Sequence, residues 1–331
     1  MTTVAPAFLD DAADAGARDV IRAQGLTAYF GAKKVVDQLS MTVPRGSVFA
    51  FLGRNGSGKT TTIRMLLGLL PPTRGSSTVL GHDSQHLPSG ARARIGYMSE
   101  SHSLYEWMSV RECGDFQSRF YPRWNARVFD SIVGHFHLDP RAKASSLSRG
   151  ERAGLSLAIT LAPEPELLIL DDPAIGLDPV ARRSLLESMI YVTRGADRTI
   201  FFSSHLLDDV ERVADQIAIL DRSVLRARCS VEYFREHVRR FVLHFGEDGA
   251  PPAALPAIRG LLHARRAGRD LALTIAAPDD DTHQRVRALG AASVEETPVT
   301  FGDAMVGYLG DRGEQGFFLD GNTATSGGAS A

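Results

Sequence analysis

The most constraining feature of this chain is an eight-residue glycine-rich loop, Gly53-Arg54-Asn55-Gly56-Ser57-Gly58-Lys59-Thr60. It follows an apolar stretch, 47–52, and precedes a helix-like stretch that starts at Thr61. Glycines allow the tight turn that points backbone N–H groups at a phosphate chain, and the helix adds its positive dipole end. Lys59 supplies a charge for the phosphates, and Thr60 a hydroxyl for Mg²⁺. We therefore predict that Gly53 to Thr61 bind a nucleoside triphosphate.

A second nucleotide element follows downstream, where the apolar stretch 167–170 ends in Asp171-Asp172. A carboxylate at the end of a buried strand reaches the hydration shell of a Mg²⁺ ion beside the phosphate loop. Aspartates also often cap the next helix. The combination of apolar strand and acidic pair, downstream of a phosphate loop, favours Asp171 as a metal-linked residue.

Composition argues against several classes of protein. The net charge of -2 gives no basic surface for nucleic acid. Two isolated cysteines, Cys113 and Cys229, exclude a disulfide framework and agree with a reducing cytosol. No apolar run approaches the roughly 20 residues that span a bilayer, and the acidic start lacks the features of a signal peptide. We expect a cytoplasmic protein that reaches a membrane only through a partner chain.

Strand-like and helix-like stretches alternate over much of the chain, which predicts an α/β fold with a largely parallel sheet. Residues 101–160 have helical periodicity and predict a helical subdomain inserted into residues 18–228. The pattern restarts after 228, so we predict a small α+β domain over 229–310. The polar ends, 1–17 and 311–331, are predicted to be disordered.

The stretch Leu147-Ser148-Arg149-Gly150-Glu151 lies between the two nucleotide elements. In this position it resembles the L-S-G-G-Q signature of the ATP-binding subunits of ABC transporters, although two of its five residues differ. Taken alone, it would be a serine-capped helix start. The resemblance implies the P-loop NTPase fold of ABC ATPases, with Ser148 and Gly150 approaching the γ-phosphate of ATP bound by the opposite subunit.

Further landmarks support this resemblance, which covers roughly residues 20–228. The stretch 174–179 resembles the D-loop, which implies that Asp178 lies at a dimer interface. Ser203-Ser204-His205 resembles the switch loop, where His205 would contact the γ-phosphate. An aromatic residue in the family stacks on adenine, for which Phe30 is the first candidate and Tyr29 the second.

Two residues depart from the family pattern near the phosphates. Asp172 stands where the family has the glutamate that acts as general base, and its side chain is one methylene shorter. We expect slow hydrolysis with intact ATP-driven dimerisation, because attack geometry is strict. Glu100 replaces the glutamine of the Q-loop, and a carboxylate there still suits Mg²⁺. The predicted catalytic residues are thus Asp172, His205 and Glu100, and the predicted metal-linked residues Thr60, Glu100 and Asp171.

The resemblance also implies partners. A head-to-tail homodimer, or a heterodimer with a paralogue, would enclose two ATP molecules and act on a separate integral-membrane subunit, as in bacterial exporters. The contact stretch is predicted over 101–123, where Tyr105, Trp107 and Phe116 either anchor the partner or pack the helical subdomain. Two alternatives stay open. One is a weakly hydrolysing regulatory subunit beside a catalytic paralogue, and the other is a soluble ATPase of the same superfamily that is associated with translation or with DNA. Nucleic acid is not a predicted partner.

Overall fold

The computed structural model describes residues 19–193, 198–247 and 249–309, so the predictions for 1–17 and 311–331 lie outside the described residues. The strands are β1 (Asp19–Phe30), β2 (Lys33–Pro44), β3 (Val48–Gly53), β4 (Arg74–Val79), β5 (His82–Asp83), β6 (Ile95–Met98), β7 (Leu167–Leu170), β8 (Thr199–Ser204), β9 (Gln216–Asp221), β10 (Val224–Ser230), β11 (Val238–His244), β12 (Leu261–Ala267), β13 (Asp270–Ala276) and β14 (Ser293–Pro298). The helices are α1 (Lys59–Leu66), α2 (Ser89–Arg92), α3 (Val110–Ser118), α4 (Ala126–His135), α5 (Arg149–Leu161), α6 (Pro179–Thr193), α7 (Leu207–Val213), α8 (Val231–His237), α9 (Asp280–Arg287) and α10 (Phe301–Leu309).

The central sheet has the strand order β10-β9-β3-β8-β7-β6. All its neighbouring strands pair in parallel except β10, which is antiparallel to β9. Strands β3, β7 and β8 are buried at every position, as expected when helices or a second sheet cover both faces. The predicted α/β fold with a largely parallel sheet is confirmed.

A second, antiparallel sheet of order β2-β1-β4-β5 covers helix α1. The apolar residues of α1, Ile63, Met65 and Leu66, are buried in one cluster with Leu26 and Phe51 from the two sheets. Helix α1 is therefore held on several sides, and the phosphate loop before it is attached to rigid elements.

The periodicity of the inserted segment predicts helices over 110–120, 125–136 and 150–161. They appear as α3, α4 and α5, within two residues of those bounds. Ser109 and Ser148 form capping boxes at α3 and α5, and Asn125 caps α4. The helices share a small core of their own, in which the ring of Phe129 lies so close to Gly114 that a Cβ there would collide with it. The ends of these helices thus follow from local capping, and their arrangement from packing.

The C-terminal sheet has the order β12-β13-β11-β14, and its pairs are antiparallel. Helix α9 covers one face through Val286, which is buried with Phe241 and Leu273. Helix α10 instead packs towards the ATPase segment, where Met305 and Tyr308 belong to the same hydrophobic cluster as residues of α7 and β9. Strand β10 ends two residues past the predicted boundary at 228. The C-terminal part shares a core with the rest of the chain.

Candidate nucleotide site

The glycine-rich loop joins β3 to α1, and two of its glycines adopt positive φ angles, 78° at Gly56 and 111° at Gly58. A Cβ at Gly58 would collide with the carbonyl oxygen of Val35, so this position accepts only glycine. A Cβ at Gly53 would lie 2.5 Å from both the carbonyl oxygen of Leu220 and the Oγ atom of Ser57. The loop is therefore shaped by close backbone approach, as a phosphate cradle requires.

The Lys59 side chain folds back over this loop. Its Nζ atom donates a hydrogen bond to the carbonyl oxygen of Gly53 at 2.8 Å. Burial lowers the pKa of the Lys59 amine, and the nearby carboxylates of Asp172, Asp171 and Glu100 oppose that shift. The ammonium group is thus held inside the loop, where a triphosphate would favour its charged form.

Asp171 lies at the end of β7 and is only 2% exposed. Its Oδ1 atom accepts a hydrogen bond from Thr60 Oγ1 at 3.2 Å and another from Ser203 Oγ at 2.8 Å. The structure therefore brings two of the three predicted metal-linked groups, the Thr60 hydroxyl and the Asp171 carboxylate, into direct contact.

Asp172 follows with a φ angle of 45°, in the left-handed region that non-glycine residues rarely adopt. Its carboxylate oxygens lie 2.9 and 3.1 Å from His205 Nδ1, and its backbone N–H donates to Ser203 Oγ at 2.8 Å. Two of the three predicted catalytic side chains therefore meet, with the Asp172 carboxylate turned towards His205.

Part of the predicted site surrounds a cleft of about 300 Å³. It is lined by Val35, Asn55, Gly56, Gly58, Lys59, Thr60, Thr61, Glu100 and Asp172. Ser57 Oγ, inside the loop, is buried and lacks a hydrogen-bond partner among the described residues. The structure thus gathers the predicted loop, Glu100 and Asp172 around a shared space.

The signature residues lie on a different surface. Ser148 caps α5: its Oγ accepts from Glu151 N–H at 3.3 Å, and its own N–H donates to Glu151 Oε2 at 2.8 Å. Asp178 caps α6, and the backbone N–H groups of Ala181 and Val180 lower the pKa of its carboxyl. The two helix starts touch, since a Cβ at Gly150 would lie 2.9 Å from that of Ala181.

A second cleft, of about 450 Å³, runs between the signature helix and the nucleotide loop. It is lined by Thr60, Arg64, Tyr97, Ser99, Glu100, Ser101, His102, Arg149, Arg152, Asp171, Ile175 and Gly176. The phosphate-side residues and the first turn of α5 therefore face a common space within one chain.

The two candidate adenine-stacking residues are exposed at the end of β1, Tyr29 by 42% and Phe30 by 53%. Lys34 Nζ lies over the Tyr29 ring, 5.8 Å from its centroid. Phe30, the more exposed ring, remains the first candidate and Tyr29 the second.

Two residues beside the site were not singled out from the sequence, Ser203 and His102. Ser203 appeared only as part of the switch loop, yet its hydroxyl joins Asp171 to the backbone of Asp172. His102 is buried, and its Nε2 atom lies 3.2 Å from the carbonyl oxygen of Pro173. Burial lowers the pKa of His102. The position of Ser203 near the end of a strand beside β7 was the available signal, whereas nothing local pointed to His102.

Comparison with known proteins agrees with this geometry. The family model for ABC transporters matches residues 36–175. The bacitracin transport ATP-binding protein BcrA of Bacillus licheniformis is 32% identical over 225 residues, which are 67% of this chain and 74% of that protein. This chain belongs to the ABC transporter ATP-binding proteins. It therefore binds ATP, and its family is that of transport ATPases.

Other relatives of this ABC protein include the Nod factor export ATP-binding protein I of Bradyrhizobium diazoefficiens. That protein is 35% identical over 204 residues, covering 60% of this chain and 66% of the relative. A solved structure described as the ATP binding subunit of an ABC transporter is 28% identical, with a TM-score of 0.60. The match covers 66% of this chain and 92% of that one. The predicted P-loop NTPase fold of the ABC type is confirmed. Over the described ranges, the helices are all too short or too polar to cross a membrane.

Proposed function

We propose that this ABC ATPase drives export through a separate integral-membrane subunit, at the inner face of the cell membrane. It would act as a head-to-tail dimer with Mg²⁺ and ATP in two composite sites. The names of two relatives, which refer to bacitracin transport and Nod factor export, support a role in transport, and the second supports transport out of the cell.

The residues present fit a Mg²⁺ ion. Thr60 Oγ1 and Asp171 Oδ1 are hard oxygen donors already in contact, and Glu100 lines both adjoining clefts. The unpartnered Ser57 Oγ inside the loop is a donor free for a phosphate oxygen. When bound, the ion would neutralise charge on the phosphates.

For hydrolysis, Asp172 is the group that would orient the attacking water. His205 holds the Asp172 carboxylate in place. The contact to both carboxylate oxygens fixes the direction of the side chain. Because Asp172 is shorter than the usual glutamate, its oxygens stay back towards His205. We infer slow turnover with strict dependence on this pair.

Exposed residues at the starts of α5 and α6 support the dimer. Ser148 is exposed at the start of α5, and Val180, beside Asp178 at the start of α6, is 76% exposed. In the proposed dimer, these two helix starts would also face the phosphate loop of the other copy. A second copy would cover them and complete each site.

A third cleft, of about 260 Å³, supports docking of the membrane subunit. It shares Tyr97 and Ser99 with the larger nucleotide-side cleft, so the two spaces meet at the end of β6. An aromatic strip lies beside it, which we define as Tyr105, Trp107, Phe116 and Phe120. Phe116 is half-buried, and the other three rings are exposed. Trp107 and Phe120 are 68% and 64% exposed.

This strip is the observation that carries the proposal. Its rings contact one another at centroid distances of 5.1 to 5.2 Å. Tyr105, Trp107 and Phe116 are absent from the hydrophobic core of the described helical segment, which favours the partner-anchor interpretation over internal packing. Exposed aromatic residues of this kind anchor protein interfaces.

The test is reconstitution with the integral-membrane protein encoded beside this gene. We expect that protein to stimulate ATP turnover in liposomes, and Trp107→Ala to lower the stimulation about tenfold. Leu69→Ala, which removes an exposed side chain after α1, should preserve it. Co-purification of the native chain with ribosomes or DNA instead of a membrane protein would overturn the proposal.

One observation keeps the regulatory alternative in view, namely the Asp172 carboxylate turned towards His205. A regulatory subunit would bind ATP and dimerise while a catalytic paralogue performs most of the turnover. Turnover that appears only when such a paralogue is added would favour this second candidate.

A further inference from the structure

The two unusual residues of the signature carry opposite charges in one helical turn. Arg149 and Glu151 stand where the family has glycine and glutamine, at the start of α5. Their side chains point to different places, and neither residue has a role in the proposed function so far.

The Glu151 carboxylate closes the capping box on Ser148, with Oε2 accepting the Ser148 N–H at 2.8 Å. A carboxylate in the first turn stabilises a helix. It also places negative charge at the helix end that the proposed dimer presents to a triphosphate. That charge opposes anion binding, which a helix N-terminus otherwise favours.

Arg149 extends along the nucleotide-side cleft and lies over Gly176. A Cβ at Gly176 would be 2.9 Å from Arg149 Nη1 and 3.5 Å from its Cδ. Gly176 has a φ angle of 68°, so a glycine there leaves the space that the guanidinium occupies. The Arg149 side chain is thus directed by the D-loop.

The guanidinium of Arg149 has no hydrogen-bond or ion-pair partner in the part of the chain that the structure describes. It nevertheless lines the cleft that contains Thr60 and Asp171. Its neighbour Arg152, in contrast, pairs with Glu106 at 3.0 Å. The Arg149 side chain is also exposed, and a planar group with five donors that its own chain leaves unpaired is suited to phosphate oxygens brought by a second chain.

We propose that Arg149 is a further phosphate-binding residue, which donates to the triphosphate held by the opposite subunit and offsets the charge of Glu151. The inference rests on the proposed head-to-tail dimer. It assigns the pair a joint role: Glu151 caps the signature helix, and Arg149 restores the positive potential that Glu151 removes. Charge-assisted guanidinium–phosphate contacts are among the strong hydrogen bonds in proteins.

The test is a cycle of two substitutions, Arg149→Ala and Glu151→Gln, made singly and together. Glutamine preserves the capping box. We measure the ATP concentration for half-maximal dimerisation, the KM and kcat of turnover, and their salt dependence. Arg149→Ala should raise the half-maximal concentration about tenfold or more. Glu151→Gln should lower it, the double variant should lie near wild type, and Arg149→Lys should recover part of the loss.

Arg127→Ala is the matched control, because Arg127 is an exposed arginine in the first turn of α4. The proposal is overturned if Arg149→Ala behaves like Arg127→Ala, or if Glu151→Gln fails to lower the half-maximal ATP concentration. Failure of the proposed function looks different, since wild type would then show no ATP-dependent dimerisation, or Lys59→Ala would leave it intact.

Mixing subunits tests whether the contact crosses the dimer. A heterodimer of one Lys59→Ala chain and one Arg149→Ala chain has one fully wild-type site if Arg149 serves the opposite subunit. Turnover should then rise above that of either variant alone. If Arg149 serves its own subunit, neither site is complete and turnover stays at the lower level, which overturns the proposal.

Discussion

His205 Nδ1 lies 2.9 and 3.1 Å from the two carboxylate oxygens of Asp172, so one imidazole holds the whole carboxylate. Asp172 is 5% exposed and has a positive φ angle, which the neighbouring hydrogen bond from its N–H to Ser203 Oγ supports. The orientation of the group next to the phosphates is therefore set by contacts from β8 and the loop after it.

Replacing Asp172 by glutamate should raise ATP turnover about ten- to a hundredfold. The added methylene moves the carboxylate from His205 towards the phosphate cleft, and attack geometry is sensitive to about 1 Å. The measurement is kcat of the dimer at saturating ATP, with Asp172→Asn as the variant that retains size and loses the base. If Asp172→Glu turns over no faster than wild type, the short side chain does not limit the rate.

His205→Ala should lower turnover by about a hundredfold or more while ATP binding persists. Without the imidazole, the Asp172 carboxylate has no partner to fix its direction, and loss of a general acid–base element costs about 10² to 10⁴ in rate. Turnover and nucleotide affinity are measured side by side. His237→Ala, which changes a half-buried histidine of α8, is the control. Equal activity of the two variants would contradict the assignment.

Gly58→Ala should destabilise the chain by about 2–3 kcal/mol and abolish ATP binding. The φ angle of 111° and the collision with the Val35 carbonyl both oppose a Cβ. Gly31→Ala is the matched control: its φ angle is 58° and no atom lies within 4 Å of the added Cβ. It should cost about 1 kcal/mol. The free energy of unfolding in urea and nucleotide binding check both variants, and a Gly58→Ala protein that binds ATP would refute this account of the loop.

Acid should lower the stability of the helical segment, because it protonates the Glu112 carboxylate. The backbone N–H and side chain of Ser109, with Lys143, lower the pKa of the Glu112 carboxyl to about 2. A lowered folded-state pKa gives stability that is present above the ordinary glutamate range and lost as the pH falls towards about 2. The urea midpoint of wild type should therefore fall more steeply with acid than that of Glu112→Gln. Parallel curves for the two proteins over that range would argue against the capping-box contribution.

Local signals in the sequence predicted much of this molecule. The loop glycines indicate positive φ angles, as found at Gly58. The cap Ser148 marks the start of α5, and the run 167–170 marks a fully buried strand. These features are legible because they depend on backbone conformation, periodicity and capping within a few residues. The order of motifs along the chain then indicated the ABC family, which the relatives confirm.

Strand β12 shows where local signals end. Its stretch His263-Ala264-Arg265-Arg266 lacks apolar alternation, and it forms a strand because β13 pairs with it. Likewise, the contact of the Phe234 and Phe301 rings, at 5.3 Å, joins α8 to α10 and merges the C-terminal part with the ATPase core.

The contacts within the nucleotide site also depend on strand pairing and helix packing. Ser203 reaches Asp171 because β8 lies beside β7 in parallel, with Phe202 opposite Leu170. The residue types of the phosphate site were readable along the chain, since each belongs to a short motif. Which oxygens touch, and that Asp172 turns to His205 while Arg149 lies over Gly176, follow only from the folded chain, because strand order and helix packing bring together residues that are distant in sequence.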